Sequence, residues 1–230
     1  MADLLSSLSL FCLALTLIAY AVALWIHKKT RSALCNPILI GAVLVIIVLL
    51  LTGVDPNVYA ESTDRLSWLL TPATISLAVP LYKQLKALKK NLPAILTGIF
   101  AGSFTSLVVV FFLCRLFSLD RQITVSLLPK SITSALGMEL AEQNGGLPAL
   151  ALVVIIFTGT LGNVLGSFLC KLFQLNDPIS QGVALGTSAH LGGTSRATEL
   201  DPLTGAVSSL SLAVSGIVTV LLFPLICSFL

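Results

Sequence analysis

Apolar residues in this chain run in long blocks, and the polar positions either gather between the blocks or interrupt them. The blocks cover 5–26, 37–51, 66–82, 92–116, 123–140, 147–172, 179–200 and 204–230. Blocks of about 20 residues at 1.5 Å per residue match a hydrocarbon core roughly 30 Å thick. No block alternates with a period of two, so helices rather than a barrel must satisfy the backbone in lipid. Blocks 5–26, 92–116, 147–172 and 204–230 are continuous; 37–51 is short, and 66–82, 123–140 and 179–200 are broken by Pro, Gly or polar residues. The pattern predicts an all-α, polytopic membrane protein of six to eight helical segments, with two broken or re-entrant polar helices. The longest polar connection, 52–65, is too short for a soluble domain, so residues 1–230 read as a single membrane domain.

Composition agrees and charge adds direction. The chain is 56% hydrophobic and 10% charged, with mean hydropathy +1.02. Met1–Ser9 carries no base, whereas Lys28, Lys29 and Arg31 follow the first block, which is the reverse of a cleaved signal. Lys83, Lys86, Lys89 and Lys90 follow the third block, and Asp55, Glu61 and Asp64 lie between the two basic clusters. This alternation puts the N-terminus outside and the clusters inside. The net charge of +3 is therefore a topology signal, and no nucleic-acid binding is expected. Cys12, Cys35, Cys114, Cys170 and Cys227 are scattered without metal or redox spacing, so no cofactor and no metal is expected.

The chain repeats itself. Leu92-Pro93-Ala94-Ile95 and Leu147-Pro148-Ala149-Leu150 open two blocks that close on Phe112-Leu113-Cys114-Arg115-Leu116-Phe117 and Phe168-Leu169-Cys170-Lys171-Leu172-Phe173. An interrupted segment precedes each, and a third unit of similar form follows. Interrupted helices at matching places in a repeat mark the substrate site of a secondary transporter. Gly98 and Gly102 on one block, and Gly159, Gly162 and Gly166 on another, suit close helix packing.

Two polar tracts are candidates for that site. In the first, Pro129 opens a helix whose free N-terminus, with Lys130, Ser131 and Thr133, favours an anion. In the second, 186–199, Gly192 and Gly193 unwind the backbone near His190, Thr194 and Arg196, and Glu199 can pair with Arg196 one turn away. Arg196 would hold a carboxylate through its remaining donors. His190 is suited to carry a coupling proton, but a structural hydrogen bond to the backbone is the more economical role. Asn163 lies on the glycine face of its block and joins the candidate site. Periodicity leaves open whether the tracts cross or re-enter. If both cross there are eight spans; if 123–146 enters from outside and 179–200 from inside there are six, and consecutive units are inverted.

Leu127-Leu128-Pro129-Lys130-Ser131-Ile132-Thr133, Gly145-Gly146-Leu147-Pro148-Ala149, the run from Gly186 to Leu200 and Gly205-Ala206-Val207-Ser208-Ser209-Leu210 together resemble the LrgB/CidB family. The likeness extends from about Asn36-Pro37 to the C-terminus, although Ser134-Ala135 stands where the family often has a second proline. The resemblance implies a bacterial inner-membrane protein that modulates murein hydrolase activity and autolysis beside a smaller holin-like LrgA/CidA membrane protein. It also implies transport of small carboxylates of the pyruvate, glycolate or glycerate type, as in the related plastid translocator. A homo-oligomer is expected. The alternative is an antiholin-type regulator or interaction scaffold without transport of its own. Enzymatic activity is not expected: Ser188 and His190 are two residues apart and no nucleophile turn is present.

Overall fold

The computed structural model describes residues 2–30, 37–69, 72, 75–76 and 78–230; Arg31, Cys35, Asn36 and Thr71 lie outside the described residues. Every regular element described is helical. Four stretches, Leu8–Thr30, Leu92–Leu116, Pro148–Leu172 and Pro202–Cys227, are long and apolar enough to cross a membrane. The protein is a multi-pass membrane protein.

The chain forms two compact units, Met1–Ser76 and Leu77–Leu230. In the first, α1 (Ala2–Thr30) packs on α2 (Pro37–Thr52) and on α3 (Pro56–Thr63), which continues into a 3-10 turn at Asp64–Leu69. A hydrogen bond of 2.8 Å between the Thr16 and Tyr59 hydroxyls ties α1 to α3. The sequence reading passed over α3 as polar connection. Its local signal is Asp-Pro: Asp55 accepts the Asn57 N–H at 2.7 Å, and Pro56 occupies the first turn, where its missing donor costs nothing.

The second unit opens with two short basic helices, α4 (Ala78–Lys83) and α5 (Leu85–Lys90), followed by the long α6 (Leu92–Leu116). Next come α7 (Arg121–Leu127) and α8 (Ser134–Gln143), then α9 (Pro148–Leu172), α10 (Pro178–Leu200) and α11 (Pro202–Cys227). The repeat in the sequence is a repeat in space. After α6 the chain turns through Ser118 in left-handed conformation, with Leu119 N–H donating to the Cys114 carbonyl at 2.9 Å. After α9 it turns identically through Gln174, with Leu175 N–H donating to the Cys170 carbonyl at 2.8 Å. An aspartate then caps the next helix in each copy: Asp120 for α7 and Asp177 for α10.

Contacts along the helices determine direction. At one end of α6, Ile95 and Ile99 pack with Leu203, Val207 and Leu210 of α11; at the other, Leu107, Val110 and Cys114 pack with Phe223 and Cys227. Helices α6 and α11 are therefore parallel. Before its break, α10 places Gly182 against Val207 and Gly186 against Ser208. After the break, Thr194 bonds Ser208 at 2.9 Å and Thr198 backs onto Gly205. The second half of α10 thus retraces the first along the same stretch of α11. It is a re-entrant hairpin with both feet at the N-terminal end of α6.

The first hairpin enters from the opposite end. Its outer part returns to its start, where Leu147 N–H donates to Ser126 Oγ at 2.7 Å, and α8 runs back along α9 with Gly137 against Ile155. Val125, Leu128, Ile132 and Leu140 pack beside the C-terminal half of α6. Helices α6 and α9 are consequently antiparallel, and the two repeats, α6 with α7–α8 and α9 with α10, are inverted. The six-span alternative is the one the contacts select for this unit.

Candidate functional site

The two hairpin tips open onto one cavity beside the middle of α6 and α9. It has a volume of about 630 Å³ and is bounded by Gly102, Thr105 and Ser106 of α6, Gly162 and Gly166 of α9, Thr187 and Ser188 of α10, and Lys130 from the first tip. Among the described residues, Lys130 is the one charged side chain lining it. Its Nζ donates to Ser131 Oγ at 2.8 Å, and that hydroxyl is 3.2 Å from Ser106 Oγ. A membrane-embedded ammonium with a hydroxyl partner, and no carboxylate among the described residues lining its cavity, retains donors and charge for an anion.

The first tip differs from the sequence reading in one respect. Pro129 does not open a helix: residues 128–131 are turn, and α8 starts at Ser134 with Thr133 as its N-cap. Pro129 is fully buried, and its ring ends α7 instead, because a proline has no N–H to continue the ladder. The helix N-terminus that faces mid-depth is that of α8. The Thr133 side chain makes no cap bond to it, so its first N–H groups and positive dipole end are not neutralised by that residue.

The second tip corrects a second expectation. Gly192 and Gly193 are helical, and the break lies at Ala189 (φ −134°, ψ 21°) and His190 (φ 38°, ψ −124°). The glycines serve close approach: a methyl group at Gly192 would collide with the Gly159 carbonyl, and one at Gly193 with that of Leu185. A left-handed conformation at a histidine needs tertiary support. The support is a 2.9 Å hydrogen bond from His190 Nε2 to the Ile155 carbonyl, with the ring seated over Gly159. His190 is 6% exposed. Because a carbonyl only accepts, Nε2 carries the proton, and Nδ1 is left buried without a partner.

The remaining candidates divide. Asn163 donates to the Gly192 carbonyl at 3.2 Å and Thr194 is bonded to Ser208, so both hold the second hairpin in place. Arg196 is engaged away from the cavity: its Nη1 pairs with Glu199 at 2.6 Å and its Nε donates to Ser167 at 2.7 Å. Lys130 and Arg196 are therefore not brought together around one space. The sequence reading omitted Ser106, Thr105, Thr187 and Ser188 from the site. Hydroxyls at 103, 105 and 106 inside an otherwise apolar block were the available signal for the first two.

The LrgB-like family pattern matches residues 16–229. The holin-like protein CidB of Staphylococcus epidermidis is 34% identical over 212 residues, covering 92% of this chain and 93% of that protein. The antiholin-like protein LrgB of Bacillus cereus is 34% identical over 220 residues, covering 95% of this chain and 96% of that one. No solved structure matches. The chain belongs to the LrgB-like family.

Proposed function

We propose that this LrgB-like protein carries small carboxylates across a bacterial inner membrane by alternating access. The observation that carries the reading is the opening of two inverted hairpin tips onto the one cavity that Lys130 lines. Inverted repeats with irregular backbone at mid-depth are the architecture in which one substrate site is exposed to either side in turn. The chemistry favours an anion. Lys130 supplies a charge, the α8 N-terminus a positive dipole end, and Ser131, Ser106, Thr187 and Ser188 supply hydroxyls for a neighbouring oxo or hydroxy group. Family likeness narrows the substrate to 2-oxo and 2-hydroxy acids such as pyruvate, glycolate or glycerate. Arg196, neutralised by Glu199, holds the second hairpin to Ser167 on α9 rather than gripping the ligand.

The charge distribution orients the second unit. Lys83, Lys86, Lys89, Lys90 and Lys171 lie at the end of α6 from which α10 enters, and Arg115 and Arg121 at the other. By the positive-inside rule, α10 enters from the cytoplasm and α7–α8 from outside. A holin-like LrgA/CidA-type protein is the proposed partner, with self-association in the membrane, and control of murein hydrolase activity and autolysis is downstream of transport.

Uptake of labelled pyruvate and glycolate into proteoliposomes, with and without the holin-like partner, tests the reading. Saturable uptake lost in Lys130→Met supports it. The names of the relatives favour a second reading, an antiholin-type regulator. Lysis control in cells together with no uptake in either reconstitution would replace the first reading by the second.

A further inference from the structure

Helix α6 has a second lined face, turned away from the Lys130 cavity. Phe104, Val108, Phe111, Phe112 and Arg115 fall on one stripe of its C-terminal half, since neighbours three and four residues apart share a helix face. Opposite them stand Leu225 and Ile226 in the last turn of α11 and Phe229 just beyond it. Together these residues wall a groove of about 720 Å³ that shares no lining residue with the Lys130 cavity. Phe104, Phe112, Leu225 and Phe229 are exposed along it.

The groove is apolar except at its mouth. Arg115 is the one charged side chain lining it among the described residues, and two contacts fix its position. Its Nη2 donates to the Phe229 carbonyl at 2.7 Å, and the guanidinium lies 5.6 Å from the centre of the Phe111 ring. Nε and Nη1 are left without a partner among the described residues, and Arg115 makes no ion pair there. The adjacent carboxylate in sequence, Asp120, is occupied as the cap of α7, where it accepts the Ile123 N–H at 2.7 Å.

Depth narrows the occupant. From residue 104 to residue 115 a helix rises about 16 Å, which is close to half of a hydrocarbon core roughly 30 Å thick. Arg115 stands in the last turn of α6, so the groove runs from headgroup level to mid-membrane. Those are the dimensions of an acyl chain within one leaflet, with a cation where its phosphate begins. An apolar helix laid in the groove would leave the guanidinium without an anion. A small water-soluble anion would leave the phenylalanines uncovered.

We propose that this groove binds an anionic phospholipid, with an acyl chain along the α6 phenylalanines and the phosphate on the free edge of Arg115. The guanidinium fork matches a phosphate bidentately, and a basic pocket between membrane helices suits such a headgroup. Because Arg115 also holds the Phe229 carbonyl, the bound lipid ties the end of α11 to α6. The inference does not depend on the transport reading.

Native mass spectrometry of the full chain, with phosphatidylglycerol and phosphatidylcholine of the same acyl chains supplied in equal amounts, tests it. The parent should retain phosphatidylglycerol several-fold over phosphatidylcholine. Arg115→Gln should erase that preference, whereas Lys171→Gln, which removes the same charge at the opposite end of the unit, should leave it intact. Val108→Trp fills the groove and keeps Arg115, so retained lipid should fall several-fold; this variant also decides the matter if Arg115→Gln does not fold. Equal retention of the two lipids by the parent overturns the proposal, as does an unchanged preference in Arg115→Gln, a preference lost equally in Lys171→Gln, or undiminished retention in Val108→Trp. Dimers that Val108→Trp abolishes, with no lipid preference in the parent, would assign the groove to a second copy of the chain instead.

Discussion

Replacing Gly159 by alanine puts a methyl group where the His190 ring now sits. The new Cβ would lie 2.8 Å from ring Cε1 and 2.9 Å from Nε2. Carbon atoms pack best at about 3.5–4.0 Å, so the overlap is close to 1 Å. The ring cannot slide aside without leaving the Ile155 carbonyl. Overpacking of a tight interior costs about 1–3 kcal/mol, and a buried donor left unpaired costs about 1–3 kcal/mol more. Better helix propensity offsets at most about 1 kcal/mol. The net loss is about 1–5 kcal/mol, a fall of roughly 2–20 °C in unfolding midpoint for a chain of this size. The control is Gly216→Ala, where the new methyl meets only Leu136 Cδ1 at 3.4 Å, an ordinary contact, and stability should not fall. Thermal unfolding in detergent, followed by size-exclusion of the surviving monodisperse protein, measures both. Uptake at matched protein level should fall further in Gly159→Ala, because the displaced ring loosens the tip. If the two alanine variants unfold at the same temperature, the ring is not pinned between α9 and the break, and the account of the second tip is wrong.

Other substitutions separate the roles assigned to the charges. Lys130→Met should express at least as well as the parent, because it removes a desolvated cation, yet lose about 10-fold or more of its uptake, as expected from one charge-assisted hydrogen bond of about 1.5–3 kcal/mol. Poor folding of Lys130→Met, or normal uptake, would remove that lysine from the site. Arg196→Ala should lower abundance by releasing the second hairpin from Ser167, whereas Glu199→Ala should change abundance and uptake little, because that carboxylate is exposed; Arg196→Ala protein of normal abundance without uptake would return Arg196 to the ligand. Single cysteines at Asp177 and at Asp201, in a background without other cysteines, should both label from the cytoplasmic face, and one at Gly145 from outside. Labelling of 177 and 201 from opposite faces would mean that α10 spans.

Much of the helical framework was legible because its signals are local. Block 92–116 coincides with α6, and 147–172 departs from α9 by a single residue, since a proline in the first turn and a basic residue in the last delimit each helix. The matched ends of the two blocks already carried the repeat, and both close on the same left-handed turn. The two polar tracts were conspicuous against hydrocarbon, and Lys130 stood out as a base beside a proline within one. Asp-Pro at 55–56, 177–178 and 201–202 was equally local and marks three helix starts.

What the chain could not disclose on its own depends on partners distant in sequence. Crossing and re-entry leave the same apolar pattern in one segment; they differ only in whether 194–198 retraces the stretch of α11 already touched by 182–186. The break in α10 lies at Ala189–His190, and not at the adjacent glycine pair, because the Ile155 carbonyl 35 residues away holds the His190 ring in place. The glycines are instead required where the backbones of α9 and α10 nearly touch. For the same reason Arg196 and Lys130, alike as cations in polar tracts, part company: one faces its own Glu199 and Ser167, the other the cavity between the tips. Propensity and hydropathy act within a few residues, whereas a site at mid-depth is assembled from backbone carbonyls and glycine faces that only tertiary packing brings together.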